Sequence, residues 1–88
     1  MKSIYKYKLN LAHTEVELPE GSKVVHFGMQ RNELCMWVEQ VVESNLEPIS
    51  RSYWVIGTGH EIPNIDGLRH LGTALDGGFV WHLYGQQL

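Results

Sequence analysis

Apolar and polar residues alternate in steps of two along most of this chain, and turn-forming clusters break the alternation every ~6–10 residues. From Ser3 to Leu11, Tyr5, Tyr7, Leu9 and Leu11 fall on one side, and Lys6, Lys8 and Asn10 on the other. Period two is the signature of a strand with one dry face and one wet face, because successive side chains leave a pleated backbone in opposite directions. A helix would scatter the lysines around the apolar side. Thr14 to Leu18 repeats the pattern, with Val16 and Leu18 inward and Glu15 and Glu17 outward. Those glutamates are expected across from Lys6 and Lys8. Lys23 to Met29 sets Val25, Phe27 and Met29 against Val24, His26 and Gly28. At the far end, Phe79, Trp81 and Leu83 oppose Val80, His82 and Tyr84.

The punctuation has its own chemistry. Leu18-Pro19-Glu20-Gly21 suits a type I turn, since proline presets φ at the second place and glycine suits the fourth. Gln30-Arg31-Asn32-Glu33 suits a tight hairpin, because asparagine tolerates the left-handed region. Asp76-Gly77-Gly78 predicts a three-residue or bulged hairpin loop. Glu43 to Ser50 and Gly59 to Gly67 read as longer connections. Leu34 to Val42 is apolar on both faces, as is Ser52 to Thr58. Such strands are central in a sheet or cross between sheets. For Leu34 to Val42 the rival is a helix from Asn32 to Ser44 capped by Asn32, but the valines and Trp37 favour a strand. The expected fold is therefore all-β: one small domain over residues 1–88, a barrel or sandwich of six to seven mostly antiparallel strands.

Composition narrows the function classes. Seven Lys+Arg against ten Asp+Glu give a net charge of −3, which argues against holding nucleic acid or an anionic membrane by charge. One cysteine leaves no intramolecular disulfide. No apolar run approaches a membrane helix, and the start lacks the apolar core of a secretory signal. A cytoplasmic protein is expected.

Motifs with chemistry are sparse, and neither an enzyme nor a cofactor is expected. Of the five histidines, His70 and His82 are the best placed. A hairpin about Gly77 sets His70 opposite Tyr84 and His82 diagonally beside it, ~7–8 Å apart at Cα. Adding His60 or Glu61 would make a zinc set, but no ligand spacing supports one, so no metal is expected. Gly57-Thr58-Gly59-His60 invites an anion between backbone amides, yet lacks the remainder of a P-loop. Cys35 lies in the most apolar run and reads as a small hydrophobe. Four glutamates between positions 33 and 47, with no lysine or arginine among them, read either as a solvated edge or as an acidic surface for a basic partner.

Several of these segments carry a family resemblance. Lys2-Ser3-Ile4-Tyr5-Lys6-Tyr7, the Leu18-to-Gly21 turn, Val55-Ile56-Gly57-Thr58-Gly59-His60-Glu61-Ile62-Pro63 and His70-Leu71-Gly72-Thr73 resemble a group of short proteins of unknown function encoded by tailed bacteriophages and prophages. The resemblance implies an accessory gene product that binds and disables a bacterial host or defence protein, and it transfers no catalytic residue. With nine aromatic rings on so small an interior, exposed rings suited to binding are expected. The candidate partner-binding residues are Glu39, Glu43, Glu47 and Trp54. The alternative is an oligomer that sequesters a nucleotide-derived signal, with Gly57, Thr58, Gly59 and His60 at phosphate and Trp54 or Trp81 stacked on a base. An edge strand also makes a homodimer plausible.

Overall fold

The computed structural model describes residues 1–42, 45 and 47–86. Among them the chain forms seven strands and no helix: β1 (Lys2–Lys8), β2 (Ala12–Leu18), β3 (Lys23–Gln30), β4 (Glu33–Val41), β5 (Ile49–Gly57), β6 (Leu68–Asp76) and β7 (Phe79–Gln86). They make two antiparallel sheets, one ordered β1-β4-β3 and the other β2-β5-β7-β6. The sheets stack as a sandwich and do not join into a closed barrel. Leu34 to Val41 is a strand, and its central place in the smaller sheet explains why it is apolar on both faces.

Leu18, Met36, Val38 and Leu83, all 0% exposed, anchor a core fed by both sheets. Phe27, Tyr53, Val55 and Ala74 join them. Of the nine rings, only Phe27 and Tyr53 are buried; Tyr5 and Phe79 are exposed and the other five half-buried. Cys35 is buried and free.

Several expectations need correction, each for a local reason. β1 and β2 belong to different sheets, because the chain turns a corner between them. Leu9 N–H donates to Leu34 O at 2.8 Å, and Ala12 takes φ +73°. Glu15 and Glu17 therefore face Ser52 and Ser50, while Lys8 meets Glu33 at 3.7 Å and Lys2 meets Glu39 at 3.9 Å. Val25 is the extra residue of a β-bulge, so Val24 takes its inward place and Val25 is exposed. The first turn runs one residue later than expected. Ser22 N–H donates to Pro19 O at 3.2 Å, with Gly21 third in the turn at φ +83°, the pattern of type II. β5 begins at Ile49, which shortens the loop before it.

Both hairpins form. At Gln30↔Glu33, Arg31 and Asn32 have φ +50° and +64°, the two left-handed corners of a type I′ turn. At Asp76↔Phe79 the loop has two residues instead of three, and Gly77 occupies the positive-φ corner. A second bulge, at Leu71, then shifts the β6–β7 register by one, which restores the expected pairing of His70 with Tyr84.

Candidate functional site

The outer face of the four-stranded sheet gathers side chains from four separate stretches of sequence. Period two sends Tyr53 and Val55 into the core, so Trp54 must point out. The register places His13 beside Trp54, Trp54 beside Tyr84, and Tyr84 beside His70. One row of four rings thus crosses all four strands. The His13 and Trp54 centroids are 5.1 Å apart, and those of His70 and Tyr84 5.3 Å in an edge-on arrangement. Trp54 and Tyr84 are half-buried, and His13 and His70 exposed. Buried Ile56 lies beside His82 in the adjoining row.

Below the rings runs a hydrogen-bonded chain. Thr73 Oγ1 lies 3.0 Å from His70 Nε2 and 3.1 Å from His82 Nδ1, and His82 Nε2 lies 3.0 Å from Thr58 Oγ1. Thr58 Oγ1 donates to Val80 O at 3.4 Å. Each threonine hydroxyl and each imidazole nitrogen in this chain donates or accepts according to the histidine tautomer, and the contacts tie both rings to the face. His70 and His82, at 5.8 Å between centroids, come together as the sequence implied. Among the described residues no group of three or more His, Cys, Asp or Glu could hold a metal.

Charge sets this face apart. Its outward positions hold no lysine or arginine, and the carboxylates among them are Glu15 and Glu17.

Comparison with family models gives one description for the whole chain: a domain of unknown function, DUF7352, matches residues 1–88. The chain belongs to the DUF7352 family. Comparison with curated proteins and with solved structures gave no match.

Against this framework the sequence-predicted residues of the DUF7352 chain separate. Glu39 and Trp54 lie on opposite outer faces of the sandwich, since Val38 and Tyr53 beside them both point into the shared core. Glu39 sits opposite Ile4 and Lys23 and pairs with Lys2, so lysines from two neighbouring strands offset the acidic run on β4. Glu47 is exposed in the loop before β5, and Glu43 lies outside the described residues. Gly57, His60 and Trp81 do converge. A side-chain carbon added to Gly57 would lie 2.9 Å from His60 Nδ1 and 3.3 Å from Trp81 Cζ3. However, Thr58 N–H donates to Val80 O and His60 N–H to Gly57 O, with Gly59 at φ +89° inside the turn. Two amides of the supposed anion cradle are therefore already bonded. Trp81 stacks on Phe79 at 5.8 Å. No helix is long and apolar enough to cross a membrane among the described residues.

Sequence reasoning missed His13 and Tyr84. Both carry the outward phase of their strands, but the strand order that aligns them with Trp54 joins residues far apart in the chain.

Proposed function

We propose that this DUF7352 protein is a non-enzymatic accessory protein, of the phage-encoded kind its sequence resembles, that docks the ringed outer face of β2-β5-β7-β6 on a bacterial host or defence protein. The observation that carries this reading is the row His13, Trp54, Tyr84 and His70 across all four strands. Half-exposed Trp and Tyr concentrate binding energy, because each ring brings a large apolar area and a polar tip at low entropic cost. The charge of the face favours a protein over a nucleic acid. Single-strand platforms pair their stacking rings with cations that track the phosphates, and here the neighbouring charges are glutamates.

The test is paired capture from bacterial lysate with four baits. Wild type and Glu39→Gln are expected to retain the same protein. Trp54→Ala and Ser52→Arg are expected to lose it while keeping the wild-type circular dichroism. Ser52→Arg places a bulky cation on the outer face beside Trp54 and leaves the core untouched. Capture unchanged in a folded Trp54→Ala or Ser52→Arg bait would refute the reading, and retention of nucleic acid instead of protein would do the same.

A further inference from the structure

The two sides of the sandwich differ. On one side β3 and β6 close it, with Gly72 against Phe27. On the other side the edges are β1 of the smaller sheet and β2 of the larger one, joined by residues 9–11. β3, β5 and β6 start at the same end of the molecule, where Lys23, Arg51 and Arg69 line one cleft. β1 runs with β3, because both are antiparallel to β4, and β2 runs against β5. β1 and β2 therefore lie antiparallel along the same side. An edge strand offers alternate N–H and C=O groups to a further strand. Six of the seven β1 residues are exposed. Tyr5 is in register with Val38, which is 0% exposed in the core, so Tyr5 holds an inward position, yet 42% of it is exposed. Val16, inward on β2, is half-buried. The two edges also carry opposite charge. Lys6 and Lys8 stand in the outward phase of β1, and Glu15 and Glu17 in the outward phase of β2.

We propose that two copies of this chain dimerise about a two-fold axis parallel to the strands, with β1 of each copy paired antiparallel to β2 of the other. Such an axis exchanges the two layers. Each smaller sheet then continues into the partner's larger sheet, and both open edges are covered at once. The axis also keeps every residue at its own height along the strands. Lys8 and Ala12 flank the corner at one height, and outward residues must meet outward residues. The register that satisfies both sets Lys6 against the partner's Glu15, Tyr5 against the partner's Val16, and Ile4 against the partner's Glu17. Lys8 lies diagonal to the partner's Glu15 and Lys6 to the partner's Glu17, within reach of long side chains. A two-fold normal to the sheets would instead bring the lysine strands together and the glutamate strands together, which like charges oppose. The ladder starts at Thr14, since His13 N–H already donates to Leu11 O at 3.1 Å. The present contacts of these charges are exposed and exchange at little cost. Lys6 Nζ donates to Gln30 Oε1 at 2.5 Å, Lys8 reaches Glu33 at 3.7 Å, and Ser50 Oγ donates to Glu15. The dimer leaves the ringed outer face uncovered, so it stands apart from the docking reading.

The test is sedimentation velocity of the full chain over a dilution series from high micromolar to nanomolar. Wild type is expected to sediment as a dimer that dissociates on dilution. Lys6→Glu and Glu15→Lys are each expected to weaken the dimer about tenfold or more, because the symmetry turns two attractive pairs into two repulsive ones, while the circular dichroism stays that of wild type. Lys6→Gln, which only removes the charge, serves as a milder variant and is expected to weaken it several-fold. An equimolar mixture of the Lys6→Glu and Glu15→Lys proteins is expected to recover the wild-type affinity, since each ladder regains one pair of opposite charges. A wild-type chain that is monomeric throughout the series would overturn the proposal. So would a dimer indifferent to Glu15→Lys, the mark of β1 pairing with β1 or of another face, or a failure of the two folded variants to recover on mixing.

Discussion

Replacing Gly72 with alanine tests how the two sheets meet along one side. Gly72 is on β6, an edge of the larger sheet, and faces Phe27 on β3, an edge of the smaller one. An alanine Cβ there would lie 3.2 Å from Phe27 Cβ and 3.8 Å from Cδ2. Carbon contacts are comfortable at ~3.5–4.0 Å. The Phe27 Cβ cannot swing away, because its backbone is held in the β3–β4 ladder and its ring is 4% exposed in the core. The two edges must therefore part by a few tenths of an ångström. Overpacking of this kind costs ~1–3 kcal/mol, and the loss of glycine freedom in the unfolded chain returns ~0.4–1 kcal/mol. A net loss of about 1 kcal/mol is expected from Gly72→Ala, and more from Gly72→Val, in a domain whose total stability is of order 4–13 kcal/mol. Urea unfolding reads this directly, because a slope near 1 kcal/mol/M turns it into a midpoint shift of about 1 M. Gly78→Ala is the control, with nothing within 4 Å of the added carbon and no left-handed φ. A Gly72→Ala protein as stable as wild type, with Gly78→Ala unchanged, would refute the close approach of β3 and β6 along this side of the sandwich.

Other perturbations separate local terms. Burial raises the Tyr53 hydroxyl above its ordinary value of 10.0, so the unfolded chain loses this proton first as pH rises. Its contribution to stability is whole below pH 10.0 and falls as pH climbs from there toward the folded-state value, so Tyr53→Phe should flatten the loss of melting temperature above that pH, and an unchanged profile would contradict it. Ala12 holds φ +73° at the corner into β2, so Ala12→Gly should raise stability by about 1 kcal/mol, the cost of a side chain in the left-handed region; a lower urea midpoint would contradict that strain. Asn32→Gly, at the second corner of the type I′ turn with φ +64°, should leave stability equal or slightly higher in the same assay, since Gly is favoured there.

What the sequence discloses here is phase, and what it conceals is partnership. Strict alternation in Thr14–Leu18 and Phe79–Tyr84 identifies strands and their inner faces directly. The pairing of His70 with Tyr84 was legible, although it arises from a two-residue turn plus a bulge at Leu71 and not from a three-residue loop. The bulge at Val25 was illegible, because a run of two valines gives no sign of which one the ladder will leave out. Glu39 reads as a member of an acidic run, and only the order β1-β4-β3 shows that it meets Lys2. One inward charge did leave a trace. Arg51 stands two residues before Tyr53 and four before Val55, so a charge occupies an inward phase, an anomaly that period-two reading detects when charged positions are tested as strictly as apolar ones.

Hydroxyl-radical footprinting of the captured complex tests the binding face most directly. The account predicts that Trp54, Tyr84, His13 and His70 lose reactivity on binding, while Trp37 and Tyr5 on the smaller sheet keep theirs. Protection of Trp37 or Tyr5 with Trp54 and Tyr84 still reactive would contradict it.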